Sequence, residues 1–268
     1  GFRYHRQVLI NNRKHWNYVG VLHEVLQPAE EMGPPGPLEG DYYCISGKSG
    51  SRSNDPDKYK KDAAILENAY NDNPEPAWLK PRYAFYCAQS YKDSGNWQKA
   101  MEWYSTRISL GGWVQEMYIS QNYIGDMLAS SGDVDGALGH WLKACEYDAH
   151  RYETLSKAAQ HYDGKGQHLV ARMLYDRVDI RDLVPNCDCM FIDERLHNYG
   201  LLCDMILFYA QHNCLDKTAS LILEAFARKE LIGSEWQAPI LHNAWFLSQV
   251  SCQSSDFARR AVEFADFC

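Results

Sequence analysis

No apolar run in this 268-residue sequence approaches the roughly 18 residues that would suggest a membrane span. The most apolar stretch, Leu201 to Tyr209, is interrupted by Asp204. Basic charge is also short. The net charge of −8 is the opposite of the concentrated positive field that a nucleic-acid surface needs. There is no signal-peptide pattern, and the chain starts Gly1-Phe2-Arg3 without methionine, so it reads as a piece cut from a longer polypeptide. Paired metal-ligand spacing is missing as well. Nine cysteines are scattered with no repeated interval, which reads as reduced core thiols in an intracellular, cytoplasmic compartment. Cys187-x-Cys189 is the one close pair, and a zinc site of about four ligands would need a second pair nearby. His140, His150, His161 and His168 fall at intervals unlike a metal site and read as surface or interface residues. No Ser-His-Asp spacing suggests a hydrolase.

What is present is an ordinary globular composition, 46% hydrophobic and 23% charged, which excludes a disordered chain. Within it runs an internal repeat. Tyr91, Gly95, Ala100 and Tyr104 share their spacing with Leu128, Gly132, Ala137 and Trp141, and again with Tyr162, Gly166, Ala171 and Tyr175. The glycine suits the turn between two antiparallel helices, where a positive φ is needed. The alanine lets the two helices approach, and the aromatic one turn later fills the space between repeats. Ala88, Gly125 and Ala159 stand three residues before each large residue. The period of about 34 is that of tetratricopeptide repeats.

This register predicts helices over 78–94 and 97–110, 114–131 and 134–147, 151–163 and 167–179. Asp55-Pro56 is read as an N-cap and first helical position, opening a helix that ends near Asn71. Asp182 to Asp193 breaks the period and reads as an irregular insert. Helices resume over 194–212, 215–230, 237–252 and 255–267, with Ala219 near the expected alanine position. The fold class expected is mainly α, a tetratricopeptide-like α-α superhelix preceded by a short β-hairpin segment. The helical domain spans 51–268. The aromatics Tyr83, Phe85, Tyr86, Tyr91, Trp97, Trp103, Tyr104 and Trp113 read mostly as inter-helix core, and a few could line a concave groove that takes a peptide or protein.

Residues 1–50 differ in character. Arg3 to Ile10 and Trp16 to Leu26 are rich in Val, Ile, Tyr and Trp and read as two strands joined by the polar turn Asn11 to His15. Asp41 to Ile45 is a candidate third strand. A lone hairpin is marginal in water. Either it docks on the helices or it ends a sheet whose other strands are absent, and the second reading is preferred.

Two motifs carry a resemblance. Trp16-Asn17-Tyr18-Val19-Gly20-Val21-Leu22-His23-Glu24 resembles the Trp…Gly-x-x-His-Glu ending of GT-A-type, family-two glycosyltransferases. Gly50-Ser51-Arg52-Ser53-Asn54-Asp55-Pro56-Asp57-Lys58-Tyr59 is similar to the junction that follows in the same enzymes. Asp62 to Tyr70, Tyr86 to Tyr91 and Gly111-Gly112-Trp113 resemble their helical tail. The resemblance implies that residues 1–50 are the β-rich terminal segment of such a domain. It implies transfer of a sugar from a nucleotide-sugar to a glycan or protein acceptor, with a divalent cation, Mn2+ or Mg2+, in the intact enzyme. His23 would complete the metal coordination, Glu24 would lie on the acceptor side as a supporting or acid/base group, and Arg52, with Lys48 nearby, would contact the diphosphate. The chain lacks a nucleotide-binding half and has no Asp-x-Asp before His23. The 268 residues alone are therefore not expected to transfer sugar. Without the missing half, the alternative is a stand-alone peptide-binding module.

Overall fold

The computed structural model describes residues 7, 9–33, 36, 38–40, 44–45, 54–183, 188–250 and 255–268. The chain forms two compact units, Tyr4–Asp148 and Ala149–Cys268. The fold is mainly α, an array of antiparallel helix pairs of tetratricopeptide type preceded by a β-hairpin. In the first unit, strands β1 (Trp16–Val19) and β2 (Val25–Pro28) pair antiparallel, with Trp16 opposite Pro28 and Val19 opposite Val25. Helices α1 (Lys58–Asn71), α2 (Leu79–Asp93), α3 (Trp97–Ser109), α4 (Val114–Ser130) and α5 (Val134–Tyr147) follow. The second unit contains α6 (Glu153–Gly164), α7 (His168–Tyr175), α8 (Leu201–Gln211), α9 (Leu215–Ala227), α10 (Ser234–Val250) and α11 (Ser255–Phe267). Helices α2/α3, α4/α5, α6/α7 and α8/α9 pack as pairs.

One turn is used four times. The amide of Asn96 donates to the Tyr91 carbonyl at 2.9 Å, and that of Gly95 to the Lys92 carbonyl at 3.0 Å. The same two bonds recur as Asp133 to Leu128 with Gly132 to Ala129, as Gln167 to Tyr162 with Gly166 to Asp163, and as Cys214 to Tyr209 with Asn213 to Ala210. This is the Schellman arrangement, which satisfies the last carbonyls of the first helix and requires one left-handed residue. That residue is Gly95, Gly132, Gly166 or Asn213, with φ of 82°, 92°, 73° and 56°. Asn is the non-glycine residue best suited to that region. In the first two pairs, Asn96 and Asp133 also cap the start of the second helix by accepting from the amides of Lys99 and Gly136.

The fourth pair corrects the alignment. Its small position is Thr218, not Ala219. Thr218 is fully buried and Ala219 is only partly so. The hydroxyl that a buried threonine brings donates to the Cys214 carbonyl at 3.0 Å, so it is not left unsatisfied.

Side-chain volume is matched where α4 meets α5. A Cβ added to Gly125 would lie 2.5 Å from Trp141 Cδ1, so the largest aromatic of the series sits over the smallest partner. At equivalent positions Tyr104 and Tyr175 face the register of Ala88 and Ala159, while Ile222 goes with Ile206. All eight are buried. Close packing explains the exchange, because a void or an overlap at such a crossing costs stability either way.

The connections between pairs are held by two buried arginines. Arg107 Nε donates to Glu116 Oε2 at 2.6 Å, and its other nitrogens donate to the carbonyls of Gly111 and Trp113. Arg151 Nη2 donates to Glu153 Oε1 at 2.7 Å, and Nη1 reaches the Met190 carbonyl at 2.8 Å. A π-helical turn, Leu196–Gly200, leads into α8 and places buried His197 at 3.5 Å from Glu153.

Several boundaries differ from expectation. The hairpin turn lies at 20–24, inside the stretch read as one strand, and the Asn11 segment forms a separate tight turn with the Lys14 amide on the Asn11 carbonyl. Gly20, at φ 120°, breaks the strand. The expected strand Arg3 to Ile10 lies largely outside the described residues, and neither described residue of 41–45 is in a strand. Asp55 caps a turn rather than the helix. Its side chain accepts from the Asp57 amide at 3.0 Å, and α1 begins three residues after Asp55. Helix α7 ends at Tyr175, four residues early, and α10 begins at Ser234. Tyr83, Phe85 and Tyr104 are core as expected, whereas Trp97 and Trp113 are exposed. Among the described residues, no helix is long and apolar enough to cross a membrane. Cys44, Cys87, Cys203, Cys214 and Cys268 form no disulfide, and Cys187 lies outside the described residues.

Candidate functional site

His23 and Glu24 sit in the loop that joins β1 to β2, and helix α2 builds the seat for that loop. Leu79, Tyr83 and Tyr86 follow one face of α2 at helical spacing, with Arg82 beside them. Val19 and Leu22 pack on the core formed by Leu66, Leu79, Tyr83 and Cys87. The Val21 amide donates to the Tyr83 hydroxyl at 3.0 Å. Arg82 donates twice to the His23 carbonyl, from Nε at 3.1 Å and from Nη2 at 2.6 Å. The hairpin therefore docks on the helices through its loop.

The clamp also explains an unusual backbone. His23 has a φ of 52°, a conformation that costs an L-residue without special support. Two charge-assisted bonds to its carbonyl supply that support. The imidazole lies flat on the Tyr86 ring, with centroids 3.8 Å apart and planes 10° from parallel. The Arg82 guanidinium lies 4.9 Å from the centroid of the same ring. One face of the imidazole is thus covered while the residue as a whole stays exposed.

The surroundings of this histidine lower its pKa. Burial of the ring face lowers its pKa first, and Arg82 and Lys58 lower it further against the opposing pull of Asp62 and Glu24. A neutral imidazole offers a lone pair at ordinary pH, which is the form a metal ligand needs. Glu24 is exposed beside it. Among the described residues, no second and third metal-ligating side chain converges on His23. The residues present fit one contributed ligand, not a complete site. Arg52, the expected diphosphate contact, lies outside the described residues.

The residues that hold His23 were not legible as such. Tyr83 and Tyr86 read as inter-helix core. Nothing in the local sequence marks Arg82, because its partner is a carbonyl 59 residues away.

No family model matches the chain, and no curated protein matches it. Among solved structures the chain is similar to BtubC (BKLC) from P. vanneervenii, with 12% identity and a TM-score of 0.45 over 78% of this chain and 89% of that one. It is also similar to a tetratricopeptide repeat protein from Parabacteroides merdae ATCC 43184, with 11% identity and a TM-score of 0.43 over 78% of this chain and 81% of that one. The helical-repeat description rests on the turns and pairs described above.

Proposed function

We propose that this chain is the helical-repeat end of a metal-dependent, nucleotide-sugar-using glycosyltransferase, with the repeats recognising the acceptor or a partner protein. The clamped loop carries the reading. A histidine with a lowered pKa, stacked on Tyr86 and gripped through its own carbonyl by Arg82, is a ligand set in place before any ion arrives. His23 would supply one ligand to a Mn2+ or Mg2+ whose other ligands come from outside the described residues. The ion would neutralise the leaving diphosphate. Glu24, next in the chain and exposed, would face the acceptor side. A cytoplasmic location accords with this reading.

The test uses the full-length protein. Metal-dependent release of nucleoside diphosphate from a panel of nucleotide-sugars is measured for wild type, His23→Ala and Arg82→Ala. His23→Ala is expected to raise the metal concentration needed for half-maximal rate by about tenfold or more. Arg82→Ala is expected to give a smaller shift in the same direction, since it frees the loop but leaves the ring. Unchanged metal dependence in both would sink the role of His23.

A second reading has its own support. The four pairs share one turn and one register, which is the scaffold of a repeat module that binds protein or peptide. If no nucleotide-sugar is turned over, peptide capture that survives loss of the hairpin becomes the better account.

A further inference from the structure

A second group of metal-ligating side chains lies in the second unit, far along the chain from His23. Asp163 is in the last turn of α6, His168 opens α7, and His212 follows α8 directly. Asp163 Oδ1 lies 2.7 Å from His168 Nδ1 and 2.9 Å from His212 Nε2. The two imidazoles lie 4.1 Å apart between centroids. One ligand atom from each residue falls within 4.8 Å of the other two. Two ring nitrogens and a carboxylate thus converge on one point. We propose that Asp163, His168 and His212 bind a divalent transition-metal ion of the zinc class, which ties the α6–α7 turn to the end of α8.

The donor set selects the ion. A set with two imidazoles suits zinc and its neighbours, whereas calcium, magnesium and manganese favour sets made up mainly of oxygen. Two histidines with one carboxylate leave a fourth position for water. Ligand bonds of about 2.0–2.1 Å put tetrahedral ligand atoms about 3.4 Å apart, so the two contacts of Asp163 need to open by less than 1 Å. His168, with half of its side chain exposed, can supply that movement. Both rings are neutral when they bind. Each ligates through a ring nitrogen that carries no proton, with the remaining proton on the far nitrogen.

The trio is peculiar to this place in the repeat. The positions of Asp163, His168 and His212 in the shared turn are held by Lys92, Trp97 and Ser94 in the first pair and by Ala129, Val134 and Ser131 in the second. The site takes two residues from one turn and the third from the next. No interval along the chain reveals it, since His168 and His212 are 44 residues apart.

The experiment is calorimetric titration of Zn2+ into tag-free, metal-stripped protein, with thermal unfolding in parallel. Wild type is expected to show a class of sites of one ion per chain and a higher unfolding midpoint with Zn2+. His168→Ala and His212→Ala are expected to weaken that class by about 100-fold or more, and to abolish the rise in midpoint. His168 is exposed, so its replacement leaves the fold in place, checked by circular dichroism without metal. If both variants keep the wild-type affinity, the ion sits elsewhere and the proposal fails. It also fails if no such class appears in wild type. Sugar transfer plays no part in this readout, so the two proposals stand or fall separately.

Discussion

Among the described residues, each unit buries one arginine against one glutamate, and the two pairs serve different ranges. Arg107 in the first unit reaches only nine residues ahead. It binds Glu116 and two carbonyls of the short α3–α4 connection. Arg151 in the second unit binds Glu153 two residues away but also the carbonyl of Met190, 39 residues on. The carboxylates respond in opposite ways. Burial pushes Glu116 above its ordinary range despite Arg107. Burial would raise Glu153 too, but the His197 imidazole and Arg151 together outweigh it and hold its carboxyl well below that range. The same ion pair thus closes a tight connection in the first unit and anchors a long one in the second, where the His197 ring joins it. A buried charge is tolerated in proportion to the partners that surround it.

The largest expected effect comes from removing either guanidinium. Arg151→Met and Arg107→Met should each cost about 3–5 kcal/mol in denaturant unfolding at pH 7, because each strips a buried carboxylate and backbone carbonyls of their guanidinium donor. A loss below about 1 kcal/mol in either would show that water reaches that pair. The next effect sharpens the contrast with a carboxylate that lacks a strong cation. Asp204 on α8 is pushed up to about 6 by burial, and its bond from Gln160 and the charge of Arg195 offset only part of this. A raised carboxylate costs stability only when ionised. The cost is absent below the unfolded value near 4 and complete above about 6. Asp204→Asn should therefore stabilise the chain at pH 8 by on the order of 1–2 kcal/mol, discounted for partial exposure, and by nothing at pH 4. Equal stabilisation at both pH values would break the argument. The smallest effect concerns the turns. Asn213→Ala should lower stability by about 0.5–1 kcal/mol, while Asn213→Gly stays within about 0.5 kcal/mol of wild type. Thermal unfolding of the two variants side by side decides it.

How far the molecule was legible follows the range of its interactions. Helices α2 to α7 were readable because their signals are local: a glycine at a Schellman turn and a small residue five positions on. The fourth pair was misaligned by one residue because Asn213 and Thr218 replace the glycine and alanine that mark the others. The hairpin was misplaced for a different reason. Residues on both sides of Gly20 favour strand, and the bend at His23 depends on Arg82, which lies 59 residues later. His23 and Glu24 were singled out by their motif and do occupy one exposed loop. The clamp that holds them was invisible, and so was the meeting of Asp163, His168 and His212, because each joins elements distant in the chain.

The repeated turn has a further consequence, for the lengths the chain can tolerate. In all four pairs nine positions separate the residue whose carbonyl closes the Schellman turn from the small residue of the second helix: Tyr91 to Ala100, Leu128 to Ala137, Tyr162 to Ala171 and Tyr209 to Thr218. One residue added there would rotate the second helix by about 100° and swing its large packing side chain away from the partner helix. From one pair to the next the small position steps by 37, 34 and then 47 residues. Length is fixed within a pair and loose between pairs. The α7–α8 connection shows how much extra length such a link can carry while Arg151 and Arg228 still tie it down through the carbonyls of Met190, Leu183 and Ile180.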